Sequence, residues 1–401
     1  MREWYGDCNQ QIYLDYQAST PMDSRVISAM GEHYSVSFAN PHATDHALGW
    51  AAHKAIEDAS AKIAGVLQVD ADEIIFTSGA TEANNLALLG LARRALPGRR
   101  RILVSAIEHR SILAAARAAE RVGIQVDFLP VTDEGIVDPA ELMERLGDDV
   151  LLVSVMAVNN EVGSLQPVKA LADAAHGVGA LFHTDAVHAP TAGIVDMAEV
   201  DADLASFSAH KIYGPKGIGC LYVRRDLHDR IEPLMYGGGQ QQGLRPGTLP
   251  VPLCVGFAVA MGLMAGAEAD AERKRIATLR DLFVERLRRA IPCVLLNGPR
   301  LVGRHPGNAN LRFAGFDAYE LLAMMQPRIA ASTGSACASG SVEPSHVLRA
   351  LGLSIADTNA SVRFGIGRFT SSRDIDEAIA VIVGTANKYD DGNKVMPRNT
   401  F

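Results

Sequence analysis

Several features that mark other classes of protein are scarce or missing in this chain of 401 residues. Its formal net charge is −8, so no basic field points to nucleic-acid binding. It contains no run of about 18 apolar residues, the length that a membrane-spanning helix needs. Its first residues, MREWYGD, are too polar for a secretory signal. We therefore expect a cytoplasmic protein with no membrane and no direct nucleic-acid partner.

Paired cysteines are missing as well. The five cysteines are scattered, odd in number and without a CxxC pair, and they are Cys8, Cys220, Cys254, Cys293 and Cys337. This pattern argues against a disulfide framework and against a thiolate zinc site. We expect no metal.

The chain is rich in alternating strand-like and helix-like segments. Apolar strand-like runs occupy 73–77, 101–107, 150–158, 180–183, 204–208 and 219–224. Helical patterns at 81–96, 111–122 and 168–178 lie between some of them. This rhythm predicts an α/β fold with a largely parallel sheet covered by helices.

The pattern changes after about residue 263, where 271–291 reads as a long amphipathic helix followed by short strands and helices. We expect a large domain over 16–263 and a small α+β domain over 1–15 and 264–401, with residues from 390 frayed.

Lys211 stands out in the segment SFSAHKIYGPKG at 206–217. It follows an apolar strand-like run and precedes a Gly/Pro turn, with Ser208 and His210 beside it. Such an amine is suited to a Schiff base with an aldehyde cofactor, and the two neighbours suit a phosphate. The alternative is a solvated lysine at a strand end.

Three further segments fit the same kind of site. The turn 77–82 before a predicted helix offers an anion site, or simply a capping turn. Asp185 at a strand end could pair with a protonated pyridine nitrogen, or cap a helix. His109 could stack on a flat heteroaromatic ring, or be polar surface. Together with Lys211 they predict a pyridoxal phosphate site.

Cys337 and Arg363 point to the substrate. Only Ala, Ser, Thr and Gly surround Cys337 within 331–341, so little in that segment would help to bury it. An exposed thiol suits sulfur transfer, whereas an isolated cysteine is more often a small core residue. The Arg363 guanidinium could bind an amino-acid carboxylate, or lie on the surface after a strand.

These segments resemble those of the NifS/IscS-type cysteine desulfurases, which are class V aminotransferase-like enzymes. The resemblance extends from about residue 12 to 370, and the stretch around Cys337 is similar to the IscS-like group. It rests on TSGATE (77–82), EH (108–109), VNNEVG (158–163), HTDA (183–186) and SAHKIYGPKG (208–217). It implies the fold-type I transferase architecture of pyridoxal-phosphate enzymes, with a mainly parallel seven-stranded sheet, and a catalytic cysteine in the small domain.

The resemblance also implies roles for individual residues. The expected catalytic residues are Lys211, Cys337 and His109. The expected contacts to pyridoxal 5′-phosphate are Ala80, Thr81, His109, Asn160, Asp185, His188, Ser208, His210, Lys211 and, from the neighbouring subunit of a homodimer, Thr248. The expected substrate contacts are Asn40, Asn160 and Arg363.

A few positions depart from the family pattern. His188 replaces a usual Gln, and Gly365 replaces a usual Ser. Gln241 and Gln242 replace a usual Glu-Arg pair, and the residues after Asn40 also differ. We expect the His188 change to tune cofactor binding, because imidazole can donate the same hydrogen bond.

The implied reaction converts L-cysteine to L-alanine and leaves sulfur on Cys337 as a persulfide for an acceptor protein. One alternative is a selenocysteine lyase or another class V enzyme. Another is a non-catalytic sulfur-relay or assembly subunit. The sequence leaves the destination of the sulfur open among iron–sulfur cluster assembly, tRNA thiolation and DNA phosphorothioation.

Overall fold

The computed structural model describes residues 11–334 and 343–395, with side chains to residue 389. Its strands are β1 (Ile12–Tyr13), β2 (Ile74–Thr77), β3 (Arg101–Ser105), β4 (Gln125–Leu129), β5 (Val150–Ser154), β6 (Leu181–Asp185), β7 (Leu204–Ser208), β8 (Gly219–Val223), β9 (Val294–Leu296), β10 (Asn308–Phe313), β11 (Ile329–Ala330) and β12 (Ser361–Gly365). Its helices are α1 (Ser24–Ser35), α2 (Ala47–Leu67), α3 (Ala80–Arg93), α4 (Arg110–Glu120), α5 (Pro139–Arg145), α6 (Val168–Gly177), α7 (Ala189–Ala192), α8 (Met197–Val200), α9 (Val251–Gly262), α10 (Ala267–Ala290), α11 (Ala318–Met324), α12 (His346–Ala350), α13 (Ile355–Asn359) and α14 (Ser372–Val395).

A seven-stranded sheet organises the first part of the chain, in the order β2-β8-β7-β6-β5-β3-β4. Strand β8 is antiparallel to both of its neighbours, and the other pairs are parallel. Strands β5, β6 and β7 are buried at every position, which explains their continuous apolar runs. The mainly parallel seven-stranded sheet is confirmed. Its parallel strands bring their carboxyl ends to one edge, where ligands bind in open α/β sheets.

A second hydrophobic core lies around the antiparallel sheet β12-β10-β9 and the parallel pair β1-β11. This core contains Ile12 and Leu14 from the start of the chain, and all its other buried residues lie between Ile276 and Ala386. The cores on the two faces of the large sheet draw on residues from Tyr16 to Met264. The domain boundaries at 16 and 263 stay a prediction that accords with this distribution.

Two predicted strands end earlier than their apolar runs. Strand β5 stops at Ser154, because the chain then turns back and pairs Val158 with Leu165. Strand β3 stops at Ser105, and the following residues lead into α4. In both places apolar residues beyond the strand, such as Ile107 and Val155, are still buried, so hydrophobicity alone does not mark the end of the strand.

The end of the chain also differs from the prediction. The sequence predicts fraying from residue 390, but α14 continues to Val395, and the residues after it lie outside the described part of the chain. Strand β12, which contains Arg363, was not predicted from the sequence. In the described residues no single helix is long and apolar enough to cross a membrane, and the bent pair α9–α10 passes that test only by length and composition.

Candidate active site

A cleft of about 500 Å³ opens at the carboxyl edge of the parallel strands. This volume is in the range of small-molecule and cofactor sites. Ten residues expected from the sequence line it, and they are Ala80, Thr81, His109, Asn160, Asp185, His188, Ser208, His210, Lys211 and Arg363. Residues far apart in the chain therefore meet at one place.

Lys211 ends a short helical turn directly after β7, and its half-buried side chain enters the cleft. Its Nζ donates to the main-chain oxygens of Gln17 and Ala18, both at 2.7 Å. The turn after β1 thus helps to aim the amine. The solvated-lysine alternative does not describe this side chain.

Asp185 ends β6 and is 4% exposed. Its Oδ1 accepts from the main-chain N of Val187 at 3.1 Å, and its Oδ2 accepts from Asn84 Nδ2 at 2.9 Å. Both donors are neutral, so they orient the carboxylate without neutralising its charge. Helix α7 has His188 as its N-cap, so Asp185 is not the helix cap that was its alternative.

His109 is joined to Asp185 through a chain of side chains. Asn84 Nδ2 also donates to Ser111 Oγ at 2.9 Å, and that hydroxyl lies 2.7 Å from His109 Nδ1. The Ser111 main-chain N–H donates to the same Nδ1 at 3.1 Å. Because Nδ1 accepts, a neutral His109 carries its proton on Nε2. The ring also caps α4, which a histidine seldom does.

The far end of the cleft is suited to an anion. Helix α3 begins there, with Gly79 as N-cap and Ala80 and Thr81 in its first turn. Unpaired N–H groups and the helix dipole favour negative charge at such a position. The nearby Glu82 does not oppose this, because its carboxylate pairs with Arg245 at 2.8 Å. Burial acts to raise the pKa of Glu82, but hydrogen bonds from Arg245 and Ser78 leave it lowered.

Two histidines in the cleft are held neutral. Burial, with the charges of Lys211 and Lys216, lowers the pKa of His210 to about 4. Burial and then Lys211 lower the pKa of His188 well below its ordinary value. The His188 ring meets His305 edge to face, with centroids 6.2 Å apart. A neutral imidazole keeps one N–H, so His188 can donate a hydrogen bond into the cleft.

Arg363 lies within β12 and is 3% exposed, so the surface alternative is wrong. One nitrogen donates to Asp15 Oδ1 and to Ser332 Oγ, both at 2.9 Å. Another donates to the main-chain O of Asn160 at 3.4 Å. The Nε is buried and has no hydrogen-bond partner. The guanidinium is therefore held in place at the cleft wall, and its Nε–H is not used by the residues that the structure describes.

Two expected residues of the described chain, Asn40 and Thr248, do not line this cleft. Asn40 is exposed and its Oδ1 accepts from the main-chain N of His42 at 2.9 Å. Thr248 is exposed and lies outside the cleft lining of its own chain. Cys337 lies outside the described residues, as does Cys8. The described residues contain no cluster of three or more His, Cys, Asp or Glu that could hold a metal.

Sequence reasoning missed the residues that hold the others in place. These are Asn84, Ser111, Asp15 and the carbonyls of Gln17 and Ala18. Asn84 carries a usable signal, since it stands on the apolar face of α3 among Ala83, Leu86 and Ala87. The two carbonyls give no such signal, because every residue has a main-chain oxygen and the contact does not depend on the residue type.

The whole chain is similar to known proteins. Residues 12–378 match the family Aminotransferase class-V. The chain belongs to the class V aminotransferase family. It is 44% identical over 380 residues to cysteine desulfurase IscS of Rickettsia bellii (strain OSU 85-389), covering 95% of this chain and 92% of that one.

Two solved structures extend this likeness to the fold. A NifS-like protein matches with a TM-score of 0.87 and 31% identity, over 94% of this chain and all (100%) of that one. A structure described as SspA in complex with cysteine matches with a TM-score of 0.78 and 34% identity, over 90% and 100%. The fold-type I architecture is confirmed.

Class V enzymes use pyridoxal 5′-phosphate, and the cleft fits that group. A buried carboxylate with neutral donors suits a protonated ring nitrogen. The α3 N-terminus and Ser208 suit the phosphate, and Lys211 reaches the space between them. The volume of the cleft, its charged groups and the Lys211 amine therefore all fit pyridoxal 5′-phosphate.

Two departures from the family pattern have physical explanations. The Gln241 side chain bonds to the main-chain N and O of Phe76 at 2.6 and 3.0 Å, so it pairs with the exposed edge of β2. At Gly365 a Cβ would lie 2.0 Å from Gln17 Oε1 and 2.6 Å from the Tyr16 N. A serine there would require the chain after β1 to shift.

Proposed function

We propose that this chain is a pyridoxal-phosphate-dependent cysteine desulfurase, which converts L-cysteine to L-alanine and keeps the sulfur on an enzyme cysteine. The observation that carries the proposal is one cleft holding an oriented amine, a buried carboxylate and a buried arginine at its wall, on Lys211, Asp185 and Arg363. The relative from Rickettsia bellii, named a cysteine desulfurase, supports the same activity.

The cofactor side is assigned to residues of the large sheet. Lys211 would bind the cofactor aldehyde, Asp185 the ring nitrogen and His188 the phenolic oxygen. Ala80, Thr81, Ser208 and His210 would hold the phosphate. When bound, pyridoxal phosphate supplies an aldehyde that captures amines and a ring that stabilises negative charge at the substrate α-carbon. Because Asp185 is oriented by two neutral donors, its carboxylate would bind the protonated ring nitrogen.

The substrate side is assigned to the cleft wall. Arg363 would take the carboxylate of L-cysteine, with Asp15 and Ser332 fixing its orientation. Asn160 lines the cleft beside it, and its carbonyl accepts from the same guanidinium at 3.4 Å. Lys211 Nζ would move the α-proton, and His109, with its proton on Nε2, would exchange a proton with the substrate thiol. Asn40 stays a weaker proposal, because it lies outside this cleft.

Cys337 is the proposed sulfur acceptor. Its thiolate would attack the substrate sulfur, so that an S–S bond forms and the substrate C–S bond breaks. Alanine leaves with a proton in place of the sulfur. Two other cysteines are poor candidates, because burial raises the pKa of Cys254 to about 12 and that of Cys220 still further.

The test is to incubate the holoenzyme with L-cysteine and measure alanine, and persulfide on each cysteine by mass spectrometry. We expect one alanine per persulfide in a single turnover. Cys337→Ala should abolish the persulfide, whereas Cys293→Ala should retain it. Full sulfur output from Cys337→Ala would refute the assignment. Equal turnover of selenocysteine by Cys337→Ala would favour a lyase instead, and absence of the absorbance band of bound cofactor would favour a non-catalytic subunit.

A homodimer completes the proposal. Thr248 would contact the phosphate of the partner's cofactor, since it is exposed and outside its own cleft. Exposed apolar side chains around α1 and α2 offer a surface to bury, among them Tyr34, Phe38 and Trp50 at 63, 69 and 60% exposure. Light scattering should give the mass of two chains, and Thr248→Ala should weaken cofactor retention without changing that mass.

An acceptor protein would take the persulfide sulfur onward, for iron–sulfur assembly or thiolation. A free catalytic thiol suits a reducing compartment, so we propose the cytoplasm. Capture of persulfide-bearing partners after incubation with L-cysteine would distinguish the pathways.

A further inference from the structure

Glu161 is a buried acid that the proposed chemistry does not use. It follows Asn160 in the turn after β5 and is 5% exposed. No ion pair to Glu161 is formed within 11–334 and 343–389. Burying a carboxylate without a cation costs free energy unless hydrogen bonds compensate it. A carboxylate buried at this place therefore calls for a role beyond packing.

The main chain of Glu161 is fixed from several directions. Its N–H donates to Asn159 Oδ1 at 2.8 Å. Its carbonyl accepts from Asn308 Nδ2 and Asn310 Nδ2, both at 3.1 Å. These two asparagines come from β10, in the second sheet. The residue is thus a fixed point between the two sheets, next to the cleft wall.

The Glu161 carboxylate touches the chain on both sides of residues 335–342, the span that contains Cys337. After that span, Ser345 Oγ donates to Glu161 Oε2 at 2.5 Å. Before it, a Cβ on Gly334 would lie only 2.9 Å from the same oxygen. Gly334 also has a φ of +82°, which glycine adopts readily. The same oxygen therefore accepts a hydrogen bond from Ser345 on one flank and packs closely against Gly334 on the other.

Other contacts tie the same flanks to the cleft. Ser332, two residues before Gly334, accepts from Arg363 at 2.9 Å. His346 Nε2 lies 2.9 Å from the main-chain O of Glu108, the residue before His109. These contacts each hold one flank. Glu161 differs because its single side chain meets both.

From this geometry we propose that Glu161 is a positioning residue, which clamps the two flanks of the Cys337 span to the cleft wall at Asn160. The inference rests on the proposed function, since it gives Cys337 its reaction. Because both contacts lie on residues that flank 335–342, losing the carboxylate should slow sulfur transfer to Cys337. Substrate binding itself uses Arg363 and does not need this contact.

The experiment separates substrate binding from sulfur transfer in the holoenzyme. L-Alanine binding, followed by the absorbance of bound cofactor, reports on the cleft. Persulfide formation on Cys337 in a single turnover with L-cysteine reports on transfer. For Glu161→Ala we expect transfer to slow about tenfold or more, while the L-alanine Kd changes less than about threefold. Glu161→Gln keeps an acceptor for Ser345 and should stay within about threefold in both measurements.

Ser345 provides a second route to the same test. Ser345→Ala should slow transfer as Glu161→Ala does, Ser345→Thr should preserve it, and the double alanine variant should be no slower than either single one. If Glu161→Ala fails to fold, the Ser345 variants still test whether the Glu161–Ser345 contact affects sulfur transfer.

Two results would overturn the proposal. One is wild-type transfer in both alanine variants, and the other is a loss of L-alanine binding parallel to the loss of transfer. If the wild-type enzyme forms no persulfide, the proposed function fails separately. The clamp is then judged by iodoacetamide alkylation of Cys337, where equal rates in wild type and Glu161→Ala would refute it.

Discussion

Replacing Asn84 by alanine tests whether the buried network behind the cleft supports the cofactor site. Asn84 Nδ2 donates to Asp185 Oδ2 and to Ser111 Oγ, both at 2.9 Å. A hydrogen bond to a charged group contributes about 1.5–3 kcal/mol and a neutral one about 1 kcal/mol. Asn84 Oδ1 is buried without a partner, so removing it returns about 1 kcal/mol. We expect Asn84→Ala to lower the free energy of unfolding by about 2 kcal/mol.

The same change should weaken cofactor binding, because Asp185 loses the donor that fixes its Oδ2. A loss of about 1.4 kcal/mol at the ring contact corresponds to a tenfold rise in the Kd of pyridoxal phosphate. Urea unfolding of the apoenzyme and a titration of cofactor absorbance measure the two effects separately.

Asn85→Ala is the matched control. Asn85 is the next residue of α3, and its Nδ2 donates to the main-chain O of Thr81 at 2.8 Å at an exposed position. We expect this variant to change stability by no more than about 0.5 kcal/mol. If Asn84→Ala and Asn85→Ala behave alike in both assays, the network has no part in holding Asp185.

Three further predictions concern buried ionisable side chains. Burial and then the Asp185 charge raise the pKa of Glu108 to about 8 from 4.5, so the folded protein binds a proton that the unfolded chain releases. Stability should therefore fall as pH rises through that window, and urea unfolding of Glu108→Gln should show a flatter profile. Burial lowers the pKa of His183 to about 3 from 6.5, so the unfolded chain takes up the proton first and stability falls as pH drops below 6.5. His183→Asn should reduce that slope by up to about 1.4 kcal/mol per pH unit, and an unchanged slope would count against the assignment. Arg363→Lys loses the bidentate geometry and should raise the KM for L-cysteine about 10–100-fold with a smaller effect on kcat, whereas an unchanged KM would remove Arg363 from the substrate site.

The strands could be predicted from the sequence wherever every residue of the strand is buried. Strands β5, β6 and β7 are buried at every position, so their apolar runs locate them directly. Strand β12 is equally buried, but it contains Arg363 and two polar or small end residues, which interrupt the run. Its strand conformation depends on pairing with β10 and on the contacts of the guanidinium, and neither is local in sequence.

The cleft was predictable to the extent that its residues stand at strand ends. Parallel strands place such residues along one edge, so Asp185, Ser208 and Lys211 follow from the order of elements. Asn40 and Thr248 could not be placed in this way, because they lie in connections whose path the sequence does not define. The orientation of the Arg363 guanidinium depends on Asp15, more than 300 residues away in the chain (|i−j| = 348).

A buried polar residue in an apolar run is a useful signal, but its position along the strand decides its meaning. His183 and Asp185 are two residues apart in β6 and therefore point to the same face of the sheet. His183 lies mid-strand, and its ring nitrogens are 2.9 Å from Ser154 Oγ and 3.1 Å from Ser206 Oγ, so its hydrogen-bonding capacity is used within the sheet. Asp185 ends the strand, where one side meets Asn84 and the other faces the cleft. A buried polar side chain in mid-strand therefore serves the fold, whereas one at the carboxyl end of the strand is available for chemistry.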